Sequence, residues 1–141
     1  MDVRIYIETS LQGPAVKDGK YAVLLEHMTD KGPATLLLTG KEKETTFHRS
    51  TLLAAVHALR RLRLACRVDI YSYCPFVNNM VTAGNLKKWE ENGWRKSDGE
   101  TVQNKDLWQR FLELGKCHEI TMHFSKHHDY REKLKKAMEE I

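Results

Sequence analysis

Twice between residues 34 and 73 the hydrophobic period of this chain changes, and that change limits the folds it can reach. From about Ala34 to Thr39 the segment reads as a strand. From about Phe47 to Leu64 it reads as a helix: Leu52, Val56, Leu59 and Leu62 recur at helical spacing, and Leu53 widens the stripe. From Val68 to Tyr73 the reading returns to a strand. A helix between two strands gives the chain the length to cross over and run parallel, which a short turn cannot do.

Two earlier strands are expected. Val3, Ile5 and Ile7 alternate with Arg4, Tyr6 and Glu8, and a second strand spans about Lys20 to His27. A loop from Leu11 to Gly19, with turn signals at Gly13-Pro14 and Asp18-Gly19, separates them. Asp30-Lys31-Gly32-Pro33 turns the second strand into the third, so the first three form an antiparallel meander. After the fourth strand a helix is expected over Phe76 to about Trp89, weakened by Gly84. Glu91 to Asn104 is polar and irregular. A short helix opens at Asn104 or Lys105, carries Leu107, Trp108, Phe111 and Leu112, and ends at Gly115. Ile120, Met122 and Phe124 alternate as a fifth strand. A charged helix runs from Asp129 to Glu140, with Asp129 and Glu132 at the spacing of a capping box. The order predicts one α/β domain over residues 1–141, a mixed five-stranded sheet flanked by helices.

Composition narrows the classes. Apolar residues at 41% and charged residues at 30% suit a soluble domain with a core. No apolar run has the length of a membrane span, and Met1-Asp-Val-Arg-Ile-Tyr enters the strand pattern at once, so no secretory signal is expected. Cys66, Cys74 and Cys117 are odd in number and lack metal-type spacing, which predicts reduced thiols in a cytoplasmic protein. Cys74-Pro75 has no paired base at a readable spacing and reads as a core cysteine. A net charge of +4 tilts the chain toward anionic partners.

Several segments in this order resemble one known family. Arg4-Ile-Tyr-Ile-Glu-Thr-Ser10 is similar to the first strand of ribonuclease H domains, where Asp-Gly-Ser follows the apolar run. Phe47-His-Arg-Ser-Thr-Leu-Leu-Ala-Ala-Val56 is similar to their first helix, usually Asn-Arg-x-Glu-Leu-x-Ala-Ala. Val68-Asp-Ile-Tyr-Ser-Tyr73 resembles the fourth strand, which normally ends in Thr-Asp-Ser. Lys87-Lys-Trp-Glu-Glu-Asn-Gly-Trp-Arg-Lys96, then Val102-Gln-Asn-Lys-Asp-Leu-Trp-Gln109, resembles the family's basic protrusion and the helix after it. Met122 to Lys126 with His127 resembles the last strand and its histidine-bearing loop. The resemblance covers nearly the whole chain. It implies a ribonuclease H-like fold, with three antiparallel strands and then two parallel ones.

It also implies a chemistry, the cutting of RNA in RNA–DNA hybrids with two divalent metals, Mg2+ or Mn2+, held by four acids. The first acid position falls on Glu8, one methylene longer than Asp. The second falls on Thr51 and the third on Tyr73, both neutral. The fourth falls near Glu132, with Asp129 the other choice, beyond a shortened loop. Two carboxylates leave four positive charges poorly compensated, and the Tyr73 ring takes up room near a metal position. Asp69 shares the face of Tyr73 but sits roughly 13 Å away along the strand, too far to replace it. No bound metal is therefore expected, Glu8, Glu132 and Asp129 being the ligands if there is one. Glu8 reads equally as a solvated strand-end acid, and Glu132 as a capping residue.

Four histidines, His118, His123, His127 and His128, cluster late in the chain, but no cysteine spacing supports a zinc site, and surface histidines are expected. His127 matches the family's loop histidine. Lys87, Lys88, Arg95 and Lys96 surround Trp89 and Trp94, a mixture that suits a nucleic-acid backbone and exposed bases, although Glu90 and Glu91 interrupt the positive run. Both tryptophans read alternatively as pins between helix and sheet, as Trp108 does. Thr46 matches a phosphate-contacting position and is equally a helix cap. Three functions remain open. The first is a nucleic-acid-binding module, for hybrid or duplex, without nuclease activity. The second is a divergent metal-dependent nuclease using Glu8, Glu132 and Asp129. The third is a protein-interaction unit that keeps only the fold.

Overall fold

The computed structural model describes all residues, 1–141. In chain order the elements are β1 (Asp2–Thr9), β2 (Lys17–Thr29), β3 (Gly32–Thr45), α1 (Phe47–Leu59), β4 (Arg67–Ser72), α2 (Pro75–Thr82), α3 (Asn85–Glu91), α4 (Lys105–Gly115), β5 (Glu119–Phe124) and α5 (Arg131–Glu139). The strands form one sheet in the order β3-β2-β1-β4-β5. Pairing is antiparallel for β1–β2 and β2–β3 and parallel for β1–β4 and β4–β5. The α1 crossover carries the chain from the β3 edge to the far side of β1, as the change of period predicts.

Alternation sorts the sheet into two faces. Val3, Ile5, Ile7, Tyr21, Val23, Leu25, Val68 and Ile70 join Leu52, Ala55, Val56 and Leu59 of α1 in the main core, which Leu107, Trp108 and Phe111 of α4 extend. The opposite face is narrower: Tyr6, Ala22 and Leu24 meet Leu134 and Met138 of α5. Leu134 is fully buried, and burying a leucine stabilises by about 1.5–3 kcal/mol. No helix is long and apolar enough to cross a membrane.

Element boundaries differ from expectation in four places. β2 and β3 are longer than predicted, because their register runs unbroken from Gly19↔Glu42 to Thr29↔Gly32 through residues whose polarity hid the strand. α1 stops at Leu59 instead of Leu64: Leu62 is half-buried and Leu64 exposed, so the stripe loses its core partner. The single helix predicted over Phe76–Trp89 is two, broken at Gly84, whose φ of 73° lies in the left-handed region that glycine enters without steric cost. The capping box at Asp129 and Glu132 does not form. The cap of α5 is Tyr130, without a side-chain cap, and its N–H is given to His128.

Candidate functional site

The parallel strands β1 and β4 end side by side, and the start of α1 faces their ends. A cleft there is lined by Ile7, Glu8, Thr9, Leu11, Gln12, Phe47, Thr51, Ser72 and Tyr73. Three of the four positions matched to the family's acids therefore converge. Glu132 does not: it is exposed on the first turn of α5 and makes no hydrogen bond or ion pair. Asp129, just before that helix, is exposed as well.

Each converging side chain has a local commitment. Thr51 is buried on α1, and its Oγ1–H donates to the Phe47 carbonyl at 2.9 Å, one turn back. Tyr73 follows the last residue of β4; its ring lies 5.3 Å from that of Phe124, and Lys126 Nζ stands 5.2 Å above it. Ser72, buried beneath, accepts the Cys74 N–H on its hydroxyl and the Asn78 side-chain N–H on its carbonyl. Burial among these groups pushes the Cys74 thiol up, as suits a core cysteine.

Glu8 accepts a hydrogen bond from His128. The His128 Nδ1 receives the Tyr130 N–H at 3.2 Å, so Nε2 carries the proton and donates to Glu8 Oε1 at 3.1 Å. The histidine side chain is only 5% exposed and the glutamate 14%. The imidazole also packs 5.0 Å from the Tyr6 ring. The loop histidine that meets the first acid position is thus His128, next to His127, the residue matched to the family's loop histidine. His127 points outward, and its Nδ1 accepts from Arg131 at 2.9 Å. The adjacent pair His127-His128 was the only signal in the sequence, and a loop of altered length hides which of two neighbours turns inward.

A row of rings supports this arrangement and was invisible in the sequence. Tyr6 of β1 stacks on Tyr71 of β4 at 4.9 Å, and Tyr71 on His123 of β5 at 4.7 Å, because register places them opposite one another on adjacent strands. His123 is held at 2.7 Å by Asp69, which occupies that carboxylate away from the cleft. Tyr130 closes the row against Tyr6, and its phenol donates to the buried Glu26 carboxylate. That bond, followed by burial and the Glu26 charge, pushes the Tyr130 phenol up to about 12. His118 precedes β5 and accepts the Cys66 N–H, apart from the other histidines.

The basic segment divides in two. Lys87, Lys88, Arg95 and Lys96 are exposed. The tryptophans turn inward: Trp94 is buried, and Trp89 is half-buried with its ring 5.5 Å from that of the fully buried Trp108. They sit as pins against the core, the second of their two readings, because the left-handed backbone at Gly93 and Trp94 folds the Trp94 ring back. Thr46 caps α1, its hydroxyl accepting the Arg49 N–H at 3.2 Å.

Comparison with known proteins agrees with this architecture. A family model described as RNase H matches residues 1–134. The ribonuclease H of a Thermoanaerobacter species is 37% identical over 118 residues, spanning 84% of this chain and 73% of that protein. The ribonuclease H of Chlorobaculum parvum is 34% identical over 126 residues, spanning 89% and 83%. The crystal structure of LC9-RNase H1, described as a type 1 RNase H with the type 2 active-site motif, matches with a TM-score of 0.76 at 19% identity, over 98% of this chain and 72% of that one. The foamy viral protease-reverse transcriptase in complex with RNA/DNA hybrid matches with a TM-score of 0.76 at 12% identity, over 97% of this chain and 19% of that one. At such identities the structures speak to fold, whereas the family model and the curated relatives speak to descent, and on these the chain belongs to the ribonuclease H family.

Proposed function

We propose that this chain is a nucleic-acid-binding ribonuclease H domain without nuclease activity, taking an RNA–DNA hybrid or duplex. The observation that carries the reading is the donor set of the cleft: a single carboxylate, Glu8, among neutral oxygens, the hydroxyls of Thr9, Thr51 and Ser72, the Gln12 amide and the Tyr73 phenol. Two divalent ions need several anionic oxygen ligands between them. Glu8 alone supplies a carboxylate, and it already accepts the His128 proton. Thr51 is engaged with the helix backbone, and Glu132 stays outside. The residues present do not fit a metal pair. Removing ligands costs far more than the roughly hundredfold that a small misplacement costs.

Binding is supported separately. The net charge is +4, and Lys87, Lys88, Arg95 and Lys96 are exposed, with Arg95 donating to the Gly99 carbonyl at 3.1 Å and Lys96 3.8 Å from Asp98. A structural neighbour is described in complex with RNA/DNA hybrid. The relatives that are ribonucleases H by name favour a second reading, an active nuclease. Incubation of the purified protein with an end-labelled RNA–DNA hybrid and Mn2+ separates the two. Retention of uncut hybrid on a filter is expected; cleavage that disappears in Glu8→Ala would establish the nuclease instead.

A further inference from the structure

Only two exposed large hydrophobic side chains of this protein are aromatic, Phe76 at 39% and Phe124 at 59%: Phe76 lines a depression that shares Gln12 and Phe47 with the cleft, and Phe124 packs on Tyr73 of the cleft wall. Phe124 leans on Tyr73, which lines the cleft, with Lys126 over the Tyr73 ring. On the other flank Phe76 stacks flat on His48, centroids 4.4 Å apart and planes within 10°, and His48 adjoins Phe47, which lines the cleft too. Gln12, Thr46 and Gln103 share the Phe76 depression, so side-chain amides and a hydroxyl lie beside the rings. From these rings and amides we infer that the mouth of the cleft is a stacking platform for unpaired nucleobases, so that the chain grips a single-stranded stretch of nucleic acid.

The inference rests on the nucleic-acid reading above and names the state of the strand. Within a duplex the bases present their edges, and their faces are covered by neighbouring pairs. A side-chain ring can stack only on a base that has left the duplex or never entered it. Both phenylalanines are exposed, Phe76 with one face on His48, the amides can meet base edges of any sequence, and Lys126 supplies a cation for the backbone. Burial holds the His48 imidazole below its usual range, so near neutrality it serves as a flat aromatic partner to Phe76. Exposed aromatic surface of this kind serves no core and is otherwise unfavourable in water.

The test is fluorescence anisotropy of the full chain with three probes of equal length: a single-stranded oligonucleotide, the same strand with abasic sites throughout, and an RNA–DNA hybrid. The single strand is expected to bind at least about fivefold tighter than its abasic copy, and Phe124→Leu or Phe76→Leu to remove roughly five- to a hundredfold of single-strand affinity. Both positions are exposed and leucine keeps them apolar, and unchanged thermal midpoints would exclude misfolding. Equal binding of normal and abasic strands, or leucine variants that bind the single strand like the parent, would overturn the platform while leaving hybrid binding intact. Absence of binding to all three probes at low salt would overturn the nucleic-acid reading itself, and the platform with it.

Discussion

Glu8 illustrates how a buried partner gives a strand-end carboxylate a structural task. A carboxylate at a strand end, exposed, would be dispensable for folding. Here it is the acceptor for a histidine that is almost wholly buried and that also takes the Tyr130 N–H. Glu8→Ala would leave the His128 donor without a partner, and an unsatisfied buried group costs about 1–3 kcal/mol. Glu8→Gln keeps an oxygen in the same place and is expected to cost less. Urea denaturation monitored by tyrosine and tryptophan fluorescence checks the pair; an Ala variant as stable as the parent would show that the hydrogen bond holds nothing. The family resemblance pointed to Glu8, Thr51 and Tyr73, and strand and helix periods put them on β1, α1 and the end of β4, which meet at the cleft. It could not locate Glu132 or the inward histidine, because both depend on the path of a short loop, where no period operates.

At the scale of elements, Arg49 ties three of them. Standing in the first turn of α1, it donates to Glu42 of β3 at 3.2 Å and, with both terminal nitrogens, to Asp106 of α4 at 3.0 and 2.8 Å. The fork geometry of guanidinium makes this bidentate grip possible. The Arg49 guanidinium, more than any other group, holds the Asp106 carboxyl below its usual range. A depressed folded value means that the contribution of Asp106 to stability is complete above its unfolded value of about 4 and is lost as pH falls through the folded one. Asp106→Asn is therefore expected to flatten the acid limb of a thermal-midpoint profile recorded between about pH 6 and pH 2, and an unchanged limb would show the pair to be fully screened. The meander, the crossover and the helix carrying Trp108 were legible from periodicity. The break at Gly84 was legible only as a weakness, because a glycine in a helix pattern does not say whether the chain bends or continues. The inward turn of Trp94 was legible only as one of two readings, since it follows from a left-handed backbone at a residue that rarely adopts one.

For the molecule as a whole, the question is where its positive charge acts. Its net charge of +4 is a small excess of 23 Lys and Arg over 19 Asp and Glu, so mean attraction to a polyanion is weak and placement decides. The exposed quartet Lys87, Lys88, Arg95 and Lys96 concentrates charge on one lobe, around α3 and the turn after it. If that lobe meets phosphates, each contact releases a counterion and adds about 0.9 to the slope of log affinity against log salt on a duplex. Replacing all four by Gln removes four positive charges and is expected to lower the slope by up to about 3.6, weakening every duplex sequence alike. The buried Trp94 and half-buried Trp89 beneath the lobe stay in place, so the thermal midpoint should hardly move. A slope unchanged by the fourfold replacement would show that the lobe faces away from the nucleic acid, and the phosphate contacts would then have to come from the cleft side, where Lys126 stands over Tyr73.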